Sequence, residues 1–236
     1  MEDLSFDDLM YLAIFIYDQG NYEQSIKYMK SAIEKKQILS SEEQELFIQP
    51  FRDITGNLRN QIRACKAELT SEDLESESQV IALELLKKEL ITSLISYCKD
   101  VIAILSDKIL PATTEDVDKP KIHLFIGDFA RYIAECDTDE SIAMAELSHD
   151  NYATALTLTA ELYPAAHPIR LNAALNLSIL VGDIMSKYDD ALELLQNVHN
   201  EAAAHLNDLE PEDAKIAEDI LKNMRDNIVE WSGADE

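Results

Sequence analysis

Glycine and proline are scarce in this chain, five and six in 236 residues, and they fall mostly between long periodic stretches. That argues against the turn-rich sequence of a β-sandwich or barrel, and no alternating strand run accompanies them. Cysteine is scarcer still. Cys65, Cys98 and Cys136 are odd in number, far apart and form no CxxC pair, so reduced, buried thiols in an intracellular protein are expected. Long apolar runs are missing as well. The longest, "LMYLAIFIY" at 9–17, is too short to span a bilayer, and it follows Glu2, Asp3, Asp7 and Asp8 instead of the basic segment of a signal peptide. A soluble, cytoplasmic protein is the expectation, without membrane insertion.

Positive charge is also in short supply. Twenty Lys and Arg stand against 46 Asp and Glu, a net charge of −26 that repels nucleic acid and anionic lipid and favours locally cationic partners. Catalytic signatures are absent: there is no GxGxxG, GxxxxGK[ST], HExxH or GxSxG. His123, His149, His167, His199 and His205 show no metal spacing, and the acids are diffuse. No enzyme, metal or cofactor is expected.

What is present is helical periodicity over almost the whole chain, with 47% hydrophobic residues to build a core. The pattern predicts an all-α domain over 1–236, with helices at 3–19, 22–36, 41–68, 78–109, 114–136, 139–162, 167–185, 188–206 and 212–232. Ser40 with Glu43 and Asp137 with Glu140 read as capping boxes, Pro168 and Pro211 as first-turn prolines, and Gly20 with Asn21 as the first hairpin turn. An acidic loop is expected at 70–79 and a short frayed tail at 232–236. Pro50 lies about three turns inside the third helix, where a kink or restart is expected. Two helices near thirty residues suggest long antiparallel pairs. The stretch "YDQGNYEQSIKYMKSAIEKK" is like one tetratricopeptide hairpin, but the repeat does not recur.

Three features stand out against this background. Arg52, Arg59 and Arg63 are seven and four residues apart, and at about 100° per residue they share one helix face. No acid occupies the positions three or four residues from any of them, so they call for an external anion or a tertiary acid. Arg131, in "GDFARYIAE", instead has Asp128 and Glu135 one turn away, and on composition alone it reads as a structural ion pair beside Tyr132. Finally, "HPIRLNAALNLS" places Asn172 and Asn176 inside a helix, where asparagine is a poor former. "MRDNIVEWS" repeats the theme, with Asn227 one turn from Trp231 and Asn223 one turn before it.

Together these stretches resemble the 14-3-3 family. "LSSEEQELF…FRDITGNLRNQIR", "IGDFARYIAE", "HPIRLNAALNLSIL" and "MRDNIVEWS" are similar to its characteristic helices, in the right order across nearly the whole chain. The resemblance implies nine antiparallel helices forming a concave groove, a non-catalytic adaptor role, and binding of phosphoserine or phosphothreonine segments of partner proteins. It implies Arg52, Arg59, Arg131 and Tyr132 as the phosphate pocket. Asn176 and Asn227 would bond the peptide backbone beside Trp231 and Asp183, the latter a glutamate in the family. Leu175 and Ile179 match the apolar wall. The family has leucines where this chain has Asn223 and Glu230, a lysine at Leu124 and a glycine at Asn172. It dimerises through ion pairs at positions held here by Asn21, Gln24, Glu89 and Ser93, which leave no opposite-charge set; the apolar first helix could still drive a homodimer. The reading that competes is a helical-repeat scaffold binding unmodified segments, which would not need the four-residue phosphate set.

Overall fold

A computed structural model describes residues 3–36, 38–71 and 76–233, and among them the regular structure is helix, with no strand. Nine helices follow one another among the described residues: α1 (Phe6–Asp18), α2 (Tyr22–Ile33), α3 (Ser41–Leu69), α4 (Glu77–Ile104), α5 (Lys119–Ala134), α6 (Ser141–Leu162), α7 (Pro168–Ile179), α8 (Tyr188–His205) and α9 (Pro211–Ser232). A π-turn at Leu105–Ile109 and a last short turn extend α4, and a π-turn at Leu180–Ile184 extends α7. Contacts divide the chain into two units, one ending at Thr113 and the other starting at Thr114.

In the first unit α1 pairs with α2, and α3 with α4. The expected capping box at Ser40 and Glu43 forms, with the Glu43 amide donating to Ser40 Oγ at 3.2 Å and the Ser40 amide to Glu43 at 2.8 Å. Ser5 and Asp8 build a second one, so α1 starts at Phe6 and not at 3. Leu9 and Ala13 of α1, Met29 and Ala32 of α2, Phe47, Ile48 and Phe51 of α3, and Leu94, Cys98 and Val101 of α4 are buried. Each large apolar side chain contributes roughly 1.5–3 kcal/mol by leaving water. That burial answers the question of Pro50. Its missing N–H and ring clash cost about 3 kcal/mol, yet α3 runs unbroken over 29 residues with Pro50 itself buried. The expected restart does not occur, because the aromatic pair flanking the proline is anchored on both sides.

The expected loop at 70–79 is shorter than its composition suggests. Thr70 caps α3, α4 begins at Glu77, and 72–75 lie outside the described residues. The expected tail lies there too from 234 onward; Ser232 still belongs to α9.

In the second unit α6 lies along α5, and α7 packs between α6 on one side and α8 and α9 on the other. Ala173 and Leu177 of α7 enter a cluster with Tyr152, Ala155, Leu180 and Ala191. Leu171, Ala174 and Leu175 enter a second one with Leu195, Leu221 and Met224. Burial on two sides leaves α7 only a narrow partly open sector, and Asn172, Asn176 and Ile179 occupy it. The α5–α6 contact requires Gly127: a Cβ there would lie 2.5 Å from the Tyr152 ring. Two boundaries depart from expectation. Helix α5 starts at Lys119, where Pro120 fits the first turn, and not at 114. The Asp137–Glu140 box does not form; Asp137 turns left-handed (φ 54°), Thr138 N–H donates to Ser141 Oγ at 2.8 Å, and α6 starts at Ser141.

All three cysteines are buried and reduced. Among the described residues no group of His, Cys, Asp and Glu is placed to hold a metal, and no helix is long and apolar enough to cross a membrane.

Two glycine substitutions test this packing in opposite directions. Gly127→Ala should destabilise by about 1–3 kcal/mol, because the Tyr152 ring must move. Gly56→Ala, whose Cβ would meet nothing within 4 Å, should stabilise α3 by about 0.4–1 kcal/mol. Urea denaturation reads both; equal midpoints for the two variants would contradict the α5–α6 contact described.

Candidate functional site

The candidate residues fall in both units. Arg52, Arg59 and Arg63 lie on α3 of the first, and the others on α5, α7, α9 and the turn after α7 of the second.

On α3, Arg52 and Arg59 are half-buried and Arg63 is exposed. Arg52 has an acid after all: its Nη1 lies 3.6 Å from the Glu45 carboxylate. Counting only positions one turn away misses this pair, since seven residues are two turns, about 10.5 Å of rise that two long side chains lean across. At half exposure such a pair contributes only about 0–1 kcal/mol. Nearby, Tyr17 donates to Asp53 at 2.5 Å and Gln49 to the same carboxylate at 3.3 Å, which commits that acid away from Arg52.

On α5, Arg131 is 14% exposed and held from three sides. Its Nη1 donates to Glu135 at 2.8 Å, its Nε donates to the Tyr152 hydroxyl at 3.1 Å, and Asp128 lies 3.8 Å from Nη2. Composition alone pointed to Asp128 and Glu135 as partners, and both are. Burial alone would make this guanidinium easier to deprotonate, but Tyr152 and the Asp128 and Glu135 carboxylates outweigh it and hold Arg131 more firmly protonated than usual. Tyr152, fully buried, donates in turn to Asp128 at 2.6 Å. Burial and the adjacent carboxylate raise its pKa well above the ordinary phenolic value, so it remains a neutral donor. The Tyr132 ring stands beside the guanidinium, 5.3 Å from Cζ to centroid.

Asn176, on α7, donates through Nδ2 to the same Asp128 oxygen at 3.2 Å. The second unit thus brings Arg131 and Asn176 together through one carboxylate. Asn172 makes no side-chain hydrogen bond among the described residues, and nothing in the structure explains it. Leu175 is only 8% exposed and belongs to the core cluster with Met224, so it is less open than a groove wall suggests. Ile179 is half-buried, and Leu124 is 8% exposed in the core.

The π-turn after α7 sets the far end. Counting seven residues from Asn176 to Asp183 assumes an α-helix throughout, and the turn at Leu180–Ile184 breaks that phase. Asp183 instead accepts from Trp231 Nε1 at 3.2 Å. Gly182 allows this approach, since a Cβ there would lie 3.2 Å from the indole ring. Asn227 is half-buried, and Asn223 and Glu230 are exposed on α9. A cavity of about 480 Å³ beside this turn is lined by Glu135, Asp137, Glu146 and Asp183 with Ile142, Met185 and one cation, Lys187, so negative charge predominates.

Sequence reasoning missed Tyr152, Asp128 as organiser, Gly127 and Gly182. A tyrosine in the middle of a helix gives no sign of the acid it meets on another helix.

The profile of the family described as 14-3-3 protein matches residues 12–232. A 14-3-3 protein homolog of Candida albicans is 29% identical over 232 residues, covering 98% of this chain and 88% of the relative. The 14-3-3-like protein GF14-G of Oryza sativa is 31% identical, covering 96% and 89%. The 14-3-3 protein 2 of Entamoeba histolytica is 30% identical, covering 96% and 95%. With matches running over almost its full length, the chain belongs to the 14-3-3 family.

Proposed function

We propose that residues 1–236 act as one domain, a cytoplasmic, non-catalytic adaptor that binds phosphoserine or phosphothreonine segments of other proteins in a concave groove. Arg52, Arg59, Arg131 and Tyr132 hold the phosphate. Asn176 and Asn227 bond the peptide backbone, with Asp183 and Trp231 beside them, and Leu175, Ile179, Asn223 and Glu230 line the groove. The observation that carries this reading is the state of Arg131. A guanidinium in so acidic a chain, fixed at Nε and Nη1 by Tyr152 and Glu135, presents a planar edge that suits a dianion better than a lysine could.

The flanking segment is read differently from the phosphate. Exposed Asn223 and Glu230 give an apolar peptide side chain no partner surface, and packing over Glu230 would desolvate a carboxylate without pairing it. The negative cavity around Asp183 adds to a preference for polar or basic neighbours. A pairing with Glu230 in a solvated groove contributes only about 0–1 kcal/mol, so lost apolar selectivity is the main effect.

Self-association is part of the proposal. Tyr11 and Phe15 of α1 and Ile81, Leu85 and Leu86 of α4 are exposed apolar residues of the first unit. The positions of the family's ion pairs serve other ends or none: Asn21 caps α2 by accepting from Gln24 N–H at 3.2 Å, Ser93 donates to the Glu89 carbonyl, and the Glu89 carboxylate is exposed.

Titration of one peptide in phosphorylated and unphosphorylated forms tests the reading. Each charge-assisted bond is worth roughly 1.5–3 kcal/mol, so loss of the phosphate should weaken binding by about a hundredfold or more. Arg59→Ala should abolish phosphopeptide binding with the helical fold intact. Equal affinity for both forms would favour a scaffold for unmodified segments. Selection from a phosphopeptide library should differ between wild type and Asn223→Leu/Glu230→Leu, the variant gaining apolar residues; identical selections would remove these positions from the groove. Sedimentation should show association strengthened by salt, since each protomer carries −26. A tight, salt-indifferent dimer would instead assign association wholly to the apolar face.

A further inference from the structure

We propose that Tyr152 and Asp128 are positioning residues that set Arg131 and Asn176 for one ligand at once; this rests on the phosphopeptide reading above. The chain of donors is continuous. Arg131 Nε donates to Tyr152 Oη at 3.1 Å, the Tyr152 hydroxyl donates to Asp128 Oδ1 at 2.6 Å, and Asn176 Nδ2 donates to the same oxygen at 3.2 Å. With Nη1 taken by Glu135, the guanidinium plane is fixed, and its Nη2 edge keeps N–H groups that form no hydrogen bond among the described residues. Asn176 is anchored through one end of its amide, which leaves Oδ1, without a hydrogen bond among the described residues, for a backbone N–H. One phenol and one carboxylate therefore orient a donor edge for an anion and an acceptor for the segment that carries it.

Only tyrosine meets these demands at residue 152. The group between Arg131 and Asp128 must accept from the first, donate to the second and stay neutral while buried. Its ring is fully buried and rests where a Gly127 Cβ would be, so its hydroxyl cannot swing away. Gly127 thereby belongs to the same unit: it admits the ring that aims the arginine. Preorganisation of this kind removes the cost of ordering a long side chain when the ligand arrives.

Nitrogen-resolved NMR and peptide titration test the proposal together. In the ligand-free wild type, the Arg131 Nε–H should exchange slowly with solvent, unlike that of exposed Arg63, and Tyr152→Phe should abolish the protection. The same variant should bind the phosphopeptide about tenfold more weakly, with the unphosphorylated peptide unaffected. In an Arg131→Lys background, which has no Nε to hold, Tyr152→Phe should add no further loss. A purely structural tyrosine would lower stability without changing the ratio of the two affinities. A folded Tyr152→Phe with wild-type phosphopeptide affinity overturns the proposal. If that variant does not fold, wild-type exchange decides: an Arg131 Nε–H as labile as that of Arg63 overturns it, and a protected one supports it. A wild type that binds both peptide forms equally refutes the phosphopeptide reading, and the exchange arm still decides whether Tyr152 holds Arg131.

Discussion

The hydrogen bond between the buried Tyr152 phenol and the Asp128 carboxylate is the interaction on which the second unit's chemistry depends. A carboxylate and a guanidinium held near one another and largely away from water are costly unless most of their donors and acceptors are met. Here Asp128 accepts from Tyr152 and Asn176, while Arg131 is met by Tyr152 and Glu135. The arrangement also dictates packing. It needs a tyrosine on α6, a glycine facing it on α5 and an asparagine on α7, so three helices are fixed relative to one another by a polar contact inside an apolar core. Removing Arg131 altogether would leave two carboxylates, Asp128 and Glu135, without their counter-charge, so its loss bears on folding as well as on recognition.

The electrostatics of the whole chain sharpen this local picture. A net charge of −26 supplies acids at almost every turn, so a cation left with capacity for an outside anion must be kept from saturation by its neighbours. On α3, Tyr17 and Gln49 both engage the Asp53 carboxylate. On α5, Tyr152, a neutral group, takes the Nε contact that a further acid could have taken. Elsewhere, exposed apolar residues stand on α1 and on α4 of the first unit.

Much of this was legible in residue order, and the exceptions share a cause. Ser40 with Glu43, Pro168 and Pro211 announce helix starts because caps are local chemistry, decided within four residues. The seven-residue spacing of Arg52 and Arg59 survives because α3 is a regular helix. Spacing fails at Asp183, where a π-turn shifts the phase, and at Asp137, whose left-handed turn moves the start of α6 to Ser141. Pro50 does not restart α3, because tertiary burial outweighs a local penalty. The Tyr152–Asp128 bond, the least legible of all, joins residues 24 apart on different helices. The asparagines of "HPIRLNAALNLS" divide along the same line: Asn176 has a partner that explains it, and Asn172 has none among the described residues.

The central claim is that arginines hold a phosphate dianion, and the phosphate's own ionisation reports on that most directly. Phosphorus NMR of a phosphoserine peptide, titrated across pH free and bound, gives the second pKa in both states, near 6 when free. Guanidinium donors favour the dianion, so the bound value should fall by about one unit or more, with affinity weakening as the pH drops through it. A bound peptide whose phosphate titrates as it does in free solution would contradict the account.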